Sequence, residues 1–145
     1  MLTKTRNWLV AVILCLIVDR FLKQAALDGF DAVLLGPSLV FRLFKNMGIA
    51  FSLPFSGPPL WIVSLIILIG VGVLGARELS ARRTARLPAY AFFLCGAISN
   101  LFDRVVHGYT VDYLIFFSRS AVNVADGMIL LGALWLLFGE KKGTA

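Results

Sequence analysis

The sequence predicts an all-α polytopic membrane protein, four transmembrane helices carrying a small extracytoplasmic β-sheet, and three observations predict it. Of its 145 residues, 59% are hydrophobic and the mean hydropathy is +0.88, more apolar surface than a soluble domain of this length can bury. The apolar residues gather in four long runs separated by polar, glycine- and proline-punctuated segments. The formal charge of +6 resides wholly in three short segments: residues 1–7, residues 77–86 and the C-terminal Glu140-Lys141-Lys142. The positive-inside rule produces such clustering. It sets all three segments, both termini among them, on the cytoplasmic side and argues for membrane topology against nucleic-acid binding. The length fits one domain, residues 1–145.

Taken in order, the first apolar run covers residues 8–18 and resumes after Asp19-Arg20-Phe21-Leu22-Lys23. No small-x-small site closes it, so we read an uncleaved helix over 8–27 in place of a signal peptide. Asp19 and Lys23 stand at i and i+4, acid first, the favourable order for an intrahelical pair. That pair either makes a polar helix end tolerable or supports a site. Residues 28–59 are too polar to span and form the β region. Strands over 32–35 and 39–44 flank Gly36-Pro37-Ser38, a turn follows at Asn46-Met47-Gly48, then a third short strand over 49–53 and a stiff lip over 54–59. Gly48 suits a positive φ and Asn46 local backbone bonding.

The second span, 60–76, is free of charge and just long enough to cross. A basic loop leads to the third, 87–103, with Pro88 in its first turn and Gly96 and Ala97 suited to helix packing. Residues 104–121 return over the outer face: a turn at 107–110, where His107 is a turn residue or a base, then an extended stretch over 111–117. Asn123 and Asp126 open the fourth span, 122–138, as N-cap and N3. Cys15 and Cys95 fall within spans as small hydrophobes, with no disulfide expected.

This topology brings Asp19, Asp103, Asp112 and Asp126 to one depth near the outer face. Intramembrane acids are costly and mark sites. Asp103 has Asn100 and Arg104 beside it, whereas Asp112 and Asp126 have no cation at helical spacing. Two carboxylates in a poorly hydrated place can share one proton, one acting as base and the other as acid. Capping alone accounts for Asp126 in water, but at the mouth of a span beside a second unpaired acid we favour catalysis. No cysteine–histidine cluster or glycine-rich phosphate loop is present, so neither metal nor cofactor is expected. A different class uses the same acids as ion sites: a small ion- or proton-coupled membrane carrier, although no internal repeat supports it.

Five blocks stand in chain order: Asp19 with Lys23, then Asn46-Met47-Gly48-Ile49-Ala50-Phe51, Asn100-Leu101-Phe102-Asp103-Arg104, Gly108 through Val111-Asp112-Tyr113, and Asn123-Val124-Ala125-Asp126. Together they resemble the lipoprotein signal peptidase (signal peptidase II) family. The resemblance covers about residues 19–130. It implies a multi-pass aspartyl endopeptidase of the bacterial cytoplasmic (inner) membrane, working near the extracytoplasmic face. It further implies removal of signal peptides from diacylglyceryl-modified prolipoproteins, with substrate and membrane lipids as partners. By resemblance Asp112 and Asp126 are the catalytic pair, and Asn100 and Asn123 orient them. Asp103 holds Arg104, Arg104 and Asn46 hold the substrate backbone beside Gly48, and Asp19 and Lys23 support the site. Asn100 and Arg104, at i and i+4, share a face if the third helix continues that far. Three positions depart from the family pattern. Ser99 stands where glycine is usual and is expected to crowd a helix contact, only thirteen residues separate the two aspartates, and Ile49 replaces a small residue.

Overall fold

The computed structural model describes residues 2–48 and 58–139, with side chains from residues 7 and 61 onward in the two stretches. The chain runs α1 Leu2–Leu27, β1 Ala32–Leu35, β2 Leu39–Asn46, α2 Pro58–Ser80, a 3₁₀ turn Thr84–Arg86, α3 Leu87–His107, β3 Thr110–Phe116, β4 Ser120–Val122 and α4 Val124–Phe138. The expected strand over 49–53 and residues 54–57 of the expected lip lie outside the described residues, while Pro58 and Pro59 open α2, where proline is tolerated.

Helix α3 is the hub. It packs against α4, α1 and α2, and α2 joins the bundle chiefly through it. The α3–α4 approach depends on Gly96, where an added Cβ would stand 2.5 Å from the Ala125 carbonyl oxygen. Val12, Phe92 and Met128 form the core between α1, α3 and α4, with Cys15 and Cys95 packed around it and unpaired. The outer surfaces are apolar: Ile13, Ile17, Phe21, Ile62, Ile66 and Val105 are each more than half exposed. Water would penalise so large an apolar surface, whereas lipid accepts it. The helical stretches Trp61–Ser80 and Thr84–His107 are long and apolar enough to cross a membrane. Helix α1 is long but carries Asp19, Arg20 and Lys23. The 15 residues of α4 rise only about 22 Å, short of the roughly 30 Å of a hydrocarbon core.

The sheet is antiparallel, in the order β1-β2-β3-β4. Its first two strands fall where the sequence predicts. The other two come from the return segment, so the β region is not confined to residues 28–59. The pairing of Asn46 with Thr110 and of Phe44 with Asp112 joins residues far apart in the chain, and such pairing leaves no local signal. Phe41, Val111 and Tyr113 bury against Ala26 and fix the sheet to α1.

Helix α3 continues past the expected end at 103 to His107. It stops at Gly108, which takes φ +81° and returns its N–H to the Arg104 carbonyl; glycine makes this left-handed cap at no steric cost. The reversal feeds directly into β3. Asn100 and Arg104 therefore share a helix face, and Asp112 arrives at the same end of the bundle as Asp103.

Candidate active site

The four acids fall into two pairs with different surroundings. Asp19 and Asp103 are neutralised. The buried Lys23 Nζ lies 2.7 Å from Asp103 Oδ2 and 3.1 Å from Asp19 Oδ2, and Arg20 Nη1 lies 2.5 Å from Asp103 Oδ1. Asp103 also accepts from Val111 N, and Asp19 Oδ1 accepts from Ala125 N and the Tyr113 hydroxyl. These bonds tie α1, α3, β3 and α4 together at one level.

Two expectations are corrected here. Asp103 does not hold Arg104: successive residues on a helix point about 100° apart and do not face each other, and Asp103 turns to α1. Arg104 Nη1 instead donates to Ser64 Oγ on α2 at 3.1 Å. Nor does Ser99 merely crowd the helix contact. Its buried hydroxyl donates to Asp19 Oδ2 at 2.6 Å and accepts from Lys23 at 3.3 Å.

Asp112 and Asp126 make no ion pair among the described residues, and amides surround them. Asp112 accepts from Asn46 Nδ2 at 2.8 Å and from Asn123 Nδ2 at 2.6 Å, one on each oxygen. Asp126 accepts from Asn100 Nδ2 at 2.8 Å and from the Asn123 backbone N–H at 3.1 Å. The Asn123 side chain accepts in turn from Asp126 N, so the expected cap is a complete capping box. Asn123 thus touches both acids.

The amide directions are set from outside the pair. An ammonium can only donate, so Lys23, 2.8 Å from Asn100 Oδ1, turns the Asn100 carbonyl towards itself and the Asn100 NH₂ towards Asp126. The α4 cap occupies Asn123 Oδ1, leaving its NH₂ for Asp112, with a longer contact to Asn100 Oδ1. Burial pushes the Asp112 carboxyl up to about 7, aided by the Asp126 charge and opposed by Asn46, Asn123 and Lys23. Burial likewise raises the Tyr113 phenol above its ordinary range.

Asn46 is braced by Gly48 N, which donates to its Oδ1 at 3.1 Å. All ten predicted site residues therefore gather at the C-terminal ends of α1 and α3, the start of α4 and the adjoining ends of β2 and β3. His107 packs on Tyr109 with ring centres 5.9 Å apart and donates to neither aspartate among the described residues. Sequence reasoning missed Arg20, Ser64, Ser99 and Tyr113 as parts of the network. Ser64 had a signal, being the one hydroxyl residue in the apolar run 60–76. Arg20 and Ser99 had none, since their partners lie about eighty residues away.

The fold and site define a class first. The chain superposes on two solved bacterial membrane enzymes determined by the in meso method. One, at 2.3 Å resolution, gives a TM-score of 0.74 at 18% identity over 96% of this chain and 94% of that one. The other, at 1.9 Å, gives 0.70 at 20% identity over 95% and 94%. This is a bacterial membrane-enzyme fold. Residues 11–140 match the family described as signal peptidase (SPase) II. The lipoprotein signal peptidase of Alteromonas mediterranea is 33% identical over 93% of this chain and 82% of its own length. That of Vibrio campbellii is 34% identical over 96% and 91%. The chain belongs to the signal peptidase II family: a peptidase that removes signal peptides from prolipoproteins. The ion-coupled carrier suggested by the sequence finds no support.

Proposed function

We propose that catalysis is of the aspartic type, carried by Asp112 and Asp126, with one water between them and the scissile peptide. The observation that carries this reading is the contrast between the two acid pairs. Lys23 and Arg20 neutralise Asp19 and Asp103, while Asp112 and Asp126 accept from four N–H donors and make no ion pair among the described residues. One carboxylate takes a proton from the water as its oxygen attacks the scissile carbonyl. The other, protonated, donates to the developing oxyanion; as the C–N bond breaks, the first passes the proton it took from water to the leaving amine, and the second recovers its own from the intermediate's hydroxyl. The ionisations belong to the pair. Arg104, steadied by Ser64, and Asn46 hold the substrate backbone, and Asn100 and Asn123 orient the acids.

The substrate of this reading is a diacylglyceryl-modified prolipoprotein whose lipid lies in the bilayer beside the helices. Spans over residues 8–27, 60–76, 87–103 and 122–138, with both termini cytoplasmic, set the pair near the extracytoplasmic face of the bacterial inner membrane. Charge clustering supports that topology. Purified protein incubated with a lipidated prolipoprotein should release a shortened product, and Asp112→Asn or Asp126→Asn should not. Wild-type turnover by either variant would dismiss the pair.

A further inference from the structure

At its turn end, away from Asn46 and Asp112, the sheet presents a face that the site does not use. Cross-strand partners share a face, so Ala32, Phe41, Leu114 and Val122 form one row and Val33, Val40, Ile115 and Ala121 the opposite row. Ala32, Phe41 and Leu114 of the first row pack with Val111 and Tyr113 against α1. Val40, Ile115 and Ala121 of the second row, with Phe44, floor a hollow of about 220 Å³ whose polar walls are Arg42, Ser118, Arg119 and Ser120. No acid lines it. Asp31 engages Nε of Arg42, at 2.5 Å, and the terminal nitrogens of Arg42 make no side-chain hydrogen bond among the described residues. Arg119 makes no ion pair among the described residues. Two guanidiniums and two hydroxyls suit a phosphodiester, whose oxygens arginine recognises through paired N–H groups.

The turn beside the hollow adds an independent observation. Phe117 and Ser118 hold φ of 49° and 54°, left-handed values that disfavour any residue with a Cβ and that hairpins usually give to Asn-Gly. Phe117 is nevertheless 69% exposed, so packing within the described residues does not offset the strain. Its N–H donates to Ser38 O of the neighbouring hairpin turn, beside Leu34 and Leu35, which are also exposed. An apolar tip next to guanidiniums is the chemistry of a segment seated at a bilayer surface, with rings among acyl chains and cations at phosphate depth.

We infer that this face of the sheet docks on anionic phospholipid, Arg42 and Arg119 holding the phosphodiester while Phe117 and Leu35 enter the acyl boundary. The tip lies seven residue steps along β2 from Asn46, about 23 Å at strand rise. Docking there braces the sheet, and with it Asn46 and Asp112, at a set depth. The inference concerns binding and stands apart from the catalytic reading, because its readout is lipid retention and not cleavage.

The test is native mass spectrometry of the full-length protein in detergent with equal phosphatidylglycerol and phosphatidylcholine. Wild type should retain phosphatidylglycerol preferentially. Arg42→Gln with Arg119→Gln should weaken that retention by about tenfold or more, the effect of losing one charge-assisted hydrogen bond. Millimolar inorganic phosphate should not compete. Phe117→Gly, which relieves the turn, should hold or raise the unfolding midpoint while lowering retention of both lipids. Equal retention of the two lipids by wild type, unchanged retention in the arginine variant, or displacement by free phosphate would each overturn the inference.

Discussion

Replacing Asp126 by asparagine tests the hydrogen-bond directions and the catalytic reading together. The capping box requires an acceptor at the Oδ2 position of residue 126, where Asn123 N–H points at 3.1 Å. A new amide at position 126 must therefore set its NH₂ where Oδ1 now accepts from Asn100 Nδ2 at 2.8 Å. Donor would face donor. Asn100 cannot turn to relieve the clash, because Lys23 holds its carbonyl at 2.8 Å and Asn123 adds a contact at 3.2 Å. The lost bond to a charged acceptor sets a cost of about 1.5–3 kcal/mol. Adding Asn100→Asp to Asp126→Asn reverses both partners: the new carboxylate at 100 accepts from Lys23 and from the amide at 126. Most of the lost stability should return. Cleavage should not, because the proton-exchanging group now faces Lys23; both variants should turn over about 10²- to 10⁴-fold more slowly than wild type. The assays are denaturant unfolding in detergent and cleavage of a lipidated prolipoprotein at several concentrations. An Asp126→Asn variant as stable as wild type would refute the amide directions. Cleavage restored together with stability in the paired variant would reduce Asp126 to a cap.

Three further outcomes are expected. Asp112→Asn, Asp126→Asn and the double variant should fall to about one residual rate, since groups acting on the same step are strongly non-additive; multiplying losses would separate them into independent contributors. The Asp112 carboxyl sits at about 7, above the roughly 3.9 of a free aspartate, so its proton favours the folded state. That contribution is complete below about pH 4 and is lost as pH rises through about 7, and cleavage should decline over the same upper limb. Asn46 lowers the Asp112 value, so Asn46→Ala should move the limb to higher pH; a shift downward in a pH–rate profile contradicts the assignment. Reporters inserted near Arg82 and fused after Glu140 should read cytoplasm, and one near Ser38 should read outside, an outside signal at Arg82 being enough to reject the topology.

Legibility followed sequence distance. The capping box of Asn123 and Asp126 and the i,i+4 pair of Asp19 and Lys23 were readable because helix geometry fixes what three or four residues can reach. The sheet was half readable. Residues 32–46 carry a turn between two apolar strands, and residues 111–117 read as extended, as β3 is; that β3 and β4 join the same sheet follows only from their pairing with β2 and with each other. The error over Asp103 and Arg104 came from adjacency, which on a helix separates side chains. Ser99 looked like a packing fault because its partner, Asp19, is 80 residues away.

The buried Lys23 on α1 explains why the chain keeps so many charges at this level of the bundle. A buried ion cluster adds little stability, and well-packed hydrophobic residues of similar volume often serve as well or better. Hydrophobic residues could join α1 to α3, but they could not orient an amide. Lys23 can, because it only donates: it turns the Asn100 carbonyl inward and so aims an N–H at Asp126. Asp19, Asp103 and Ser99 then follow from Lys23, since a buried ammonium needs compensating acceptors. Arg20 balances the second carboxylate. On this argument the neutral cluster exists for the acids beside it, fixing donors that point at Asp126 before substrate arrives, as electrostatic preorganisation requires. Lys23→Met should accordingly cost about 3–5 kcal/mol by leaving the buried Asp19 without its cation. Lys23→Arg, keeping charge and donors, should recover part of the stability and part of the turnover. Recovery of stability with no turnover would mean that the cluster serves the fold alone.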